Sequence, residues 1–334
     1  MSTRQDGRSG EDQLIDRFFR PIAKHPGALG LVDDAAFLTP PAGSDLVLTV
    51  DAVVVGVHFL ADDPADSVAK KALRVNLSDL AAKGAKPLGA LLSLSMPENT
   101  GDDWLAAFAR GLGEDCAAFD CPLLGGDMTG TPGLLTISIT AIGAVPTGRM
   151  VRRKGAQPGD VLVITGTIGD AVLGLKLRRE PNNPAFARLN RTARALLADR
   201  YLLPQPRVAL ARSLHEHATA AVDISDGLAG DVGKLAAASG VAARIEAKRI
   251  PFSAPARTAL SEEPNLVETM LGGGDDYEIA ATVPENRLKA LQAAGTESGI
   301  DVTAIGRIEA GEGVTVLGLD GQPLALKQAS FSHF

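Results

Sequence analysis

Short apolar strands alternate with helical patterns through the first half of this sequence. Residues 45–57, 88–94 and 134–145 are rich in Val, Leu and Ile, and we predict them as buried strands. Between them, residues 66–84 and 102–119 repeat apolar side chains at helical spacing. This order of elements is typical of an α/β or α+β layer in which helices pack on a sheet.

The second half begins a new pattern after a turn at residues 157–160 (QPGD). Its predicted elements are a strand at 161–165, a helix at 170–179, a strand at 220–223, a helix at 227–238, a strand at 278–283, a helix at 285–294 and a β-rich end. A chain of 334 residues is long enough for two domains, which we expect over residues 10–150 and 151–334. We also expect an amphipathic helix at 13–23 and a disordered start before residue 10.

Composition argues against several classes of function. The net charge is −7, aromatic residues make up 4% and Lys or Arg form no long run, so the chain lacks the basic stripe and stacking platforms of nucleic-acid binders. Apolar segments are shorter than the roughly 18 residues of a spanning helix, and the N-terminus is polar, so we expect a cytoplasmic protein without membrane contact. Two cysteines, Cys116 and Cys121, do not predict a disulfide framework or a zinc site.

Aspartates at strand ends and in glycine-containing turns are the most informative polar residues. They are Asp33, Asp34, Asp51, Asp79, Asp127, Asp223, Asp226, Asp275 and Asp276. A single Asp before a helix is often an N-cap, and this alternative applies best to Asp79 and Asp226. Asp51 differs because it lies inside a Val-rich and Leu-rich run, where we expect a buried carboxylate that needs a cation.

Convergence of several such acids would require a bound metal. Two carboxylates 4 Å apart repel each other by about 4 kcal/mol at an effective dielectric constant near 20, and a divalent ion removes that repulsion. Oxygen ligands without a His or Cys cluster favour Mg²⁺ or Mn²⁺ over Zn²⁺, and Mg²⁺ is commonly shared with substrate phosphates. The acids therefore predict a nucleotide or a phosphate ester as the ligand.

The common phosphate-binding motifs do not occur in the sequence. It has no G-x-x-x-x-G-K-[ST] segment and no G-x-G-x-x-G that opens a helix. The Gly125-Gly126-Asp127 segment would let the backbone approach phosphate beside a carboxylate, with an ordinary turn as the alternative. Residues 148–155 (GRMVRRKG) offer cations to phosphate oxygens or form a solvated surface cluster. His58 is a candidate for an acceptor pocket or a structural histidine.

Seven motifs, taken in order, give the chain a family resemblance. They are GLVDDAA, VDAVVVGVHF, KALRVNLSDLAAKGAKP, LLGGDMTG, GRMVRRKGAQPGD, VDISDGLAGD and GGDDYE. Together they resemble the thiamine-monophosphate kinases, within a wider family similar to aminoimidazole ribonucleotide synthetase and selenophosphate synthetase. The resemblance implies a two-domain α/β fold. Its N-terminal domain (10–150) would bind ATP and Mg²⁺ and pair its sheet with a twin in a homodimer, and its C-terminal domain (151–334) would complete the active site.

The same resemblance implies roles at matching positions. Several Mg²⁺ ions would be held by Asp34, Thr49, Asp51, Asp79, Asp127, Asp223 and Asp226. ATP would be contacted by Gly126, Asp127, Arg153 and Ser225. Thiamine monophosphate would be contacted by His58, Asp275 and Phe331. The chain departs from the family pattern at Val32, Val50, Asp275 and Phe331, and Val50 offers no side-chain ligand.

The expected activity is ATP-dependent phosphorylation of thiamine monophosphate to thiamine diphosphate. We expect direct in-line transfer in which Asp51, Asp127 and Asp226 act through bound metal. A phosphate monoester has a second pKa of about 6, so the acceptor is largely ionised at pH 7 and a strong general base is unnecessary. The alternatives are an ATP-dependent synthetase of the wider family, which activates an amide or carbonyl oxygen, and a non-catalytic nucleotide-binding maturation protein.

Overall fold

A computed structural model describes residues 10–332 of the chain. They form two compact units, one from residues up to 80 together with 86–147, and one from 81–85 together with residues from 148 onward. Each unit has a β-sheet of its own. The disordered start expected before residue 10 lies outside the described residues.

The first unit is built on a four-stranded sheet. Its strands are β1 (Ser44–Val54), β2 (Lys86–Pro97), β3 (Leu123–Thr131) and β4 (Thr136–Pro146), and the helices that begin in this part of the chain are α1 (Gly10–Leu14), α2 (Ala65–Ala82) and α3 (Asp102–Ala118). The strand order is β1-β4-β2-β3, so β1 and β3 form the two edges. β4 pairs antiparallel with β1 and β2, whereas β2 and β3 run parallel. The three strands and two helices predicted between residues 45 and 145 are confirmed with shifted ends.

The two faces of this sheet carry different side chains. Successive residues of a strand point to opposite faces, and in β1 Val47 and Val53 are buried. Leu46, Leu48 and Val50, which alternate with them, are exposed at 43%, 64% and 61%. One face therefore belongs to the core of the unit, while the other presents an apolar surface.

Two local predictions in this unit are wrong. The single helix expected at 13–23 is replaced by α1 and a π-helical turn at Ile15–Phe19, and Pro21 lacks the N–H that a continuing helix would need. Gly125 and Gly126 are not in a turn but lie within β3. A side chain at Gly126 would collide with the carbonyl oxygen of Leu92 on β2, which explains why a glycine occupies this strand position.

The second unit is built on a six-stranded sheet with seven helices in its described part. Its strands are β5 (Val161–Thr165), β6 (Ala220–Ile224), β7 (Ala242–Glu246), β8 (Glu278–Val283), β9 (Val302–Glu309) and β10 (Gly313–Leu317). Its helices are α4 (Asp170–Arg179), α5 (Arg191–Leu202), α6 (Ala211–His217), α7 (Leu228–Ser239), α8 (Ala254–Glu262), α9 (Leu266–Gly272) and α10 (Glu285–Glu297). The strand order is β10-β7-β9-β5-β8-β6. Throughout residues 10–332, no helix combines the length and apolarity needed to cross a bilayer.

Both faces of the six-stranded sheet are covered by apolar packing. Leu162 and Ile164 of β5 belong to one hydrophobic cluster, and Val161 and Val163, which point the other way, belong to a second. All five residues of β5 are buried. This is the arrangement expected of a central strand with helices on both sides, and it explains why β5 reads as an uninterrupted apolar run.

Candidate active site

A cleft of about 650 Å³ in the first unit brings the first acid pair together with the glycine-containing strand. Asp33 and Asp34 line it from the segment before β1, and Gly125, Gly126 and Asp127 line it from β3. The backbone N–H of Asp34 donates to Oδ1 of Asp33 at 2.8 Å, which fixes the local turn. Carboxylates and close backbone in one cleft suit a phosphate group and its cation.

A second polar group lies where α2 meets the edge strand β1. The hydroxyl of Thr49 donates to Oδ2 of Asp79 at 2.5 Å, and the backbone N–H of Asp51 donates to Oδ1 of Asn76 at 3.0 Å. Asn76 is fully buried, and its amide also donates to the carbonyl of Ala72 at 3.0 Å. Asp79 therefore lies inside α2 and is not an N-cap, contrary to the alternative considered from sequence.

Asp51 is exposed, so the prediction of a buried carboxylate is wrong. The physical reason is the strand order, because β1 is an edge strand and no further strand covers its outer side, although Val47 and Val53 of the same strand are buried. The apolar residues around Asp51 make β1 resemble a buried strand. Three of them, Leu46, Leu48 and Val50, lie on the exposed face of the sheet. Asp51 is therefore not a buried charge that requires a bound cation.

Asp51 and Asp127 do not converge within the first unit. The pairing register joins Asp51 to Ile139, Ile139 to Leu92 and Leu92 to Gly126, so Asp51 shares a face with Gly126. Asp127 is the next residue along β3 and points to the opposite face. The two acids also lie on opposite edge strands, three strand spacings or about 14 Å apart.

His58 is held by the backbone around it. Its Nδ1 accepts a hydrogen bond from the N–H of Val54 at 3.0 Å, and its carbonyl oxygen accepts one from the buried Lys71 at 2.9 Å. The acceptor role of Nδ1 leaves the proton of a neutral ring on Nε2. His58 thus has a structural role and a half-buried ring whose Nε2 is suited to donate.

In the second unit, the loop between β6 and α7 is organised by a buried carboxylate. Oδ2 of Asp231 accepts hydrogen bonds from the backbone N–H groups of Ser225, Asp226 and Gly227 at 3.1, 2.9 and 3.2 Å. Burial raises the pKa of Asp231, while hydrogen bonds from Lys234 and the backbone oppose the rise. The N-cap position of α7 is Gly227, so the expectation that Asp226 caps this helix is wrong; the Asp226 carboxylate binds Lys234 instead, at 2.5 Å.

A second acidic loop, residues 273–277, lies against the first. The N–H of Asp275 donates to the carbonyl of Ser225 at 2.9 Å, and the N–H of Tyr277 donates to the carbonyl of Ile224 at 2.8 Å. Asp275 and Tyr277 both adopt left-handed backbone angles, with φ of 74° and 49°, which costs non-glycine residues roughly 1–2 kcal/mol each. Tight packing holds this conformation, since a side chain at Gly274 would collide with the carbonyl of Ser225.

The C-terminal segment also reaches this loop. The N–H of Phe331 donates to the carbonyl oxygen of Asp226 at 2.8 Å, and the Phe331 side chain is 45% exposed. A side chain at Gly230, in the first turn of α7, would collide with Ser330. Ser225, Asp226, Asp275 and Phe331 are thus brought together, and Asp223 precedes them as a buried residue of β6.

Arg153 stands apart from these contacts. Its side chain is exposed, and its carbonyl oxygen accepts a weak hydrogen bond of 3.4 Å from Ser239 at the end of α7. The carbonyl of the neighbouring Arg152 accepts the N–H of Ala221 at 3.1 Å, so this basic segment runs beside the start of β6. An exposed guanidinium there is available to a phosphate group.

Three residues that take part in the contacts within the two units were given no role by sequence reasoning. Asp276 is buried and accepts backbone N–H bonds from Gly169 at 2.8 Å and Ala171 at 3.4 Å, at the start of α4. Desolvation raises the pKa of the Asp276 carboxyl well above its ordinary value. Asn76 and Lys234 are the other two. For Lys234 the signal was available, because Asp231 and Lys234 have the i, i+3 spacing of neighbours on one helix face.

The donor set fits Mg²⁺ in its chemistry. The predicted ligands offer carboxylate and hydroxyl oxygens, which are the hard donors this ion prefers. Thr49 Oγ1 and Asp79 Oδ2, 2.5 Å apart, need to separate only slightly to reach the spacing of about 2.9 Å between adjacent ligands of an octahedral Mg²⁺. Over residues 10–332, however, no three His, Cys, Asp or Glu side chains gather closely enough to hold a metal. Within the units the predicted ligands form separate small groups.

Known proteins resemble this chain along most of its length. The AIR synthase related protein N-terminal domain matches residues 32–145, and the corresponding C-terminal domain matches residues 157–318. A thiamine-monophosphate kinase from Caulobacter vibrioides is 44% identical over 305 residues, which cover 90% of this chain and 84% of that protein. Another, from Escherichia coli K12, is 39% identical over 329 residues, which cover 97% and 98%. The chain belongs to the thiamine-monophosphate kinases of the AIR synthase related family.

Solved structures of thiamine-monophosphate kinases agree with the fold. The crystal structure from Stenotrophomonas maltophilia K279a has a TM-score of 0.83 at 40% identity and covers 93% of this chain and 96% of that one. A structure described as AaThiL complexed with AMPPCP and TMP has a TM-score of 0.77 at 32% identity and covers 89% of each chain. The hydrogenase maturation protein HypE in complex with ATP, at 20% identity and a TM-score of 0.79, shares the fold alone. The predicted two-domain α/β fold is confirmed.

Proposed function

We propose that this protein transfers the terminal phosphoryl group of ATP to thiamine monophosphate and so forms thiamine diphosphate. The observation that carries the proposal is its 44% and 39% identity to thiamine-monophosphate kinases over nearly all of the chain. The AaThiL structure, which holds AMPPCP and TMP together, supports ATP and thiamine monophosphate as the pair of substrates. The cytoplasmic location expected from the sequence stays a prediction.

The proposed mechanism is direct in-line transfer without a phosphoenzyme. Mg²⁺, when bound, would supply the positive charge that lets two anionic reactants approach. We propose that the cleft of the first unit, with Asp34, Gly126 and Asp127, holds phosphate oxygens and their cation. The Thr49 and Asp79 pair, with Asp51 beside it on the same edge, would hold a further ion. Because the acceptor phosphate is largely ionised at pH 7, these carboxylates have no proton to remove and act by orienting ligands.

The loops of the second unit supply the remaining contacts in this proposal. Ser225 and Arg153 would bind ATP, and Asp226 with Asp223 would complete the set of metal ligands. His58, Asp275 and Phe331 would contact the thiamine moiety. The apolar ring of Phe331 retains stacking on an aromatic ligand but donates no hydrogen bond.

We further propose that two copies of the chain pair through the exposed face of the four-stranded sheet. That face presents Leu46, Leu48 and Val50, all at least 43% exposed, and a row of exposed apolar side chains on one sheet face is typical of an interface. Asp127 lies on this face, whereas Asp51 lies on the other and on the opposite edge. In a two-fold dimer the β3 edge of one copy is able to approach the β1 edge of its partner, which would bring Asp127 and Asp51 of different copies to one site.

The test is an acceptor panel with purified full-length protein, ATP and Mg²⁺. ADP release that depends on thiamine monophosphate supports the kinase. Release that depends instead on formylglycinamidine ribonucleotide supports the ATP-dependent synthetase. Nucleotide binding without turnover on any acceptor supports a maturation protein. Either of these last two results would overturn the proposed function.

A further inference from the structure

Lys234 binds the two carboxylates that frame the loop before α7. Its Nζ lies 2.5 Å from Oδ2 of Asp226 and 2.8 Å from Oδ1 of Asp231. The side chain of Asp231 is 2% exposed, that of Asp226 is 34% exposed and that of Lys234 is 40% exposed. The ammonium group is therefore anchored on its inner side by a buried acid and reaches outward to Asp226.

The shape of the loop does not depend on Lys234. Asp231 uses its second oxygen, Oδ2, to accept the N–H groups of Ser225, Asp226 and Gly227. The carbonyls of Ser225 and Asp226 accept the N–H groups of Asp275 and Phe331 at 2.9 and 2.8 Å. The backbone that carries Asp226 is thus fixed from both sides, and the Asp226 carboxylate is free to change its ionic partner without rearranging the loop.

The Lys234 side chain occupies the position that a metal would take beside Asp226. Its Nζ lies within hydrogen-bonding distance of Asp226 Oδ2 and of Asp231 Oδ1 at the same time. An ammonium group therefore already lies where Asp226 would bind a metal. A carboxylate oxygen that accepts a short bond from an ammonium group cannot coordinate a divalent ion through the same lone pair at the same time.

We propose that Lys234 is a built-in counter-ion of Asp226, which occupies this carboxylate in the metal-free protein and must leave it before a divalent cation can bind there. On release, the ammonium retains its bond to Asp231. Lys234 thereby lowers the affinity of this part of the site for metal, and it keeps Asp226 paired while no metal is bound. The inference rests on the proposed function, which makes Asp226 a metal ligand.

The test measures Mg²⁺ binding rather than turnover. Mg²⁺ is titrated into the full-length protein, with and without AMPPCP, and binding is followed by calorimetry. Lys234→Met removes the charge and keeps the apolar stem, and we expect it to bind Mg²⁺ roughly two- to fivefold more tightly, since a partly exposed ion pair contributes up to about that factor. Lys234→Arg keeps the charge and is expected to bind no more tightly than the wild type. Lys234→Gln serves as a second neutral variant if the methionine variant folds poorly.

Two controls separate this role from general effects. Lys176→Met removes a lysine of α4 that pairs with Glu180. Lys176 contacts none of the proposed metal ligands, so this variant should leave the Mg²⁺ affinity unchanged. In an Asp226→Asn background, Lys234→Met should no longer tighten Mg²⁺ binding, because the carboxylate for which Lys234 and Mg²⁺ compete is absent. Unchanged or weaker binding in Lys234→Met, or a gain that persists without Asp226, would overturn the inference while leaving the metal site intact. A wild type and an Asp226→Asn variant that bind Mg²⁺ equally would overturn both the inference and the assignment of Asp226.

Discussion

The backbone N–H of Asp275 donates a hydrogen bond of 2.9 Å to the carbonyl oxygen of Ser225. This bond joins the loop that follows β6 to the loop that precedes β8, and Gly274 makes the contact possible by having no side chain to collide with Ser225. The placement of Asp226 relative to Asp275 is thus set by backbone contacts. A small displacement of one loop would separate two groups of the proposed site.

Gly274→Ala tests this contact. Its new methyl group would meet the carbonyl of Ser225, so we expect a loss of about 1–3 kcal/mol in the free energy of unfolding. A displacement of this kind at a reacting site reduces kcat/KM by up to about a hundredfold, and we expect a fall of that order for thiamine monophosphate. Thermal unfolding and steady-state kinetics measure the two effects.

Gly233→Ala is the matched control. Gly233 lies inside α7, and the added methyl would make an ordinary contact of 3.6 Å with Val314. Replacing an interior helix glycine with alanine should raise stability by about 0.5–1 kcal/mol and leave activity unchanged. Wild-type kcat/KM in Gly274→Ala would show that the loop contact does not position the site.

Asp276 gives the second unit a specific dependence on pH. Burial raises the pKa of this carboxyl well above its value of 3.8 in water, so the folded protein binds this proton more tightly than the unfolded chain does. Stability from this group is therefore fully present below the ordinary pKa and is lost as the pH rises through the raised pKa of the folded state. Asp276→Asn does not ionise, and its single oxygen still accepts the shorter bond from the N–H of Gly169, at the cost of the longer one from Ala171.

We expect Asp276→Asn to unfold at an equal or higher temperature than the wild type at pH 8, and to lose less stability between pH 5 and pH 8. Melting curves across that range provide the measurement. Asp199→Asn, at an exposed position, should reproduce the wild-type dependence. Parallel curves for Asp276→Asn and the wild type would contradict the role given to this buried acid.

The opposite orientations of Asp51 and Asp127 lead to a prediction about mixed dimers. If one site takes Asp51 from one copy and Asp127 from its partner, a heterodimer of Asp51→Asn with Asp127→Asn keeps one intact site. Such a heterodimer, purified through two different tags, should show about half the wild-type activity, whereas both variant homodimers should be nearly inactive.

The control is a dimer in which both copies carry Asp51→Asn and differ only in their tags, and it should stay inactive. If both acids instead serve a site within one copy, every site of the mixed dimer carries a substitution. An inactive mixed dimer would therefore exclude the shared site. It would leave the assignment of the kinase activity untouched.

Much of the fold was predictable because strands and helices carry local signals. The strand at 161–165 and the helix at 170–179 match β5 and α4 residue for residue, since an apolar run and a glycine-bearing turn mark their ends. β3 was missed because Gly125 and Gly126 resemble a turn, and their place in a strand depends on close contact with Leu92 of another strand. No local pattern records such a contact.

The candidate site was less predictable because it depends on strand order and on partners distant in sequence. Asp51 was expected to be buried, but its exposure follows from the edge position of β1, which is a property of the whole sheet. Asp226 was a candidate cap, but the N-cap position falls on Gly227, and the Asp226 carboxylate pairs with Lys234. The aspartates themselves were identified from sequence, whereas their grouping required the structure.

The most direct measurement follows the labelled γ-phosphate of ATP into the product. Full-length protein is incubated with ATP, Mg²⁺ and thiamine monophosphate, and thiamine phosphates are separated by chromatography. We expect the label to appear in thiamine diphosphate, and we expect Asp127→Asn, folded as the wild type by its melting curve, to lose nearly all of this transfer. No labelled thiamine diphosphate from the wild type, or wild-type turnover by Asp127→Asn, would contradict the account.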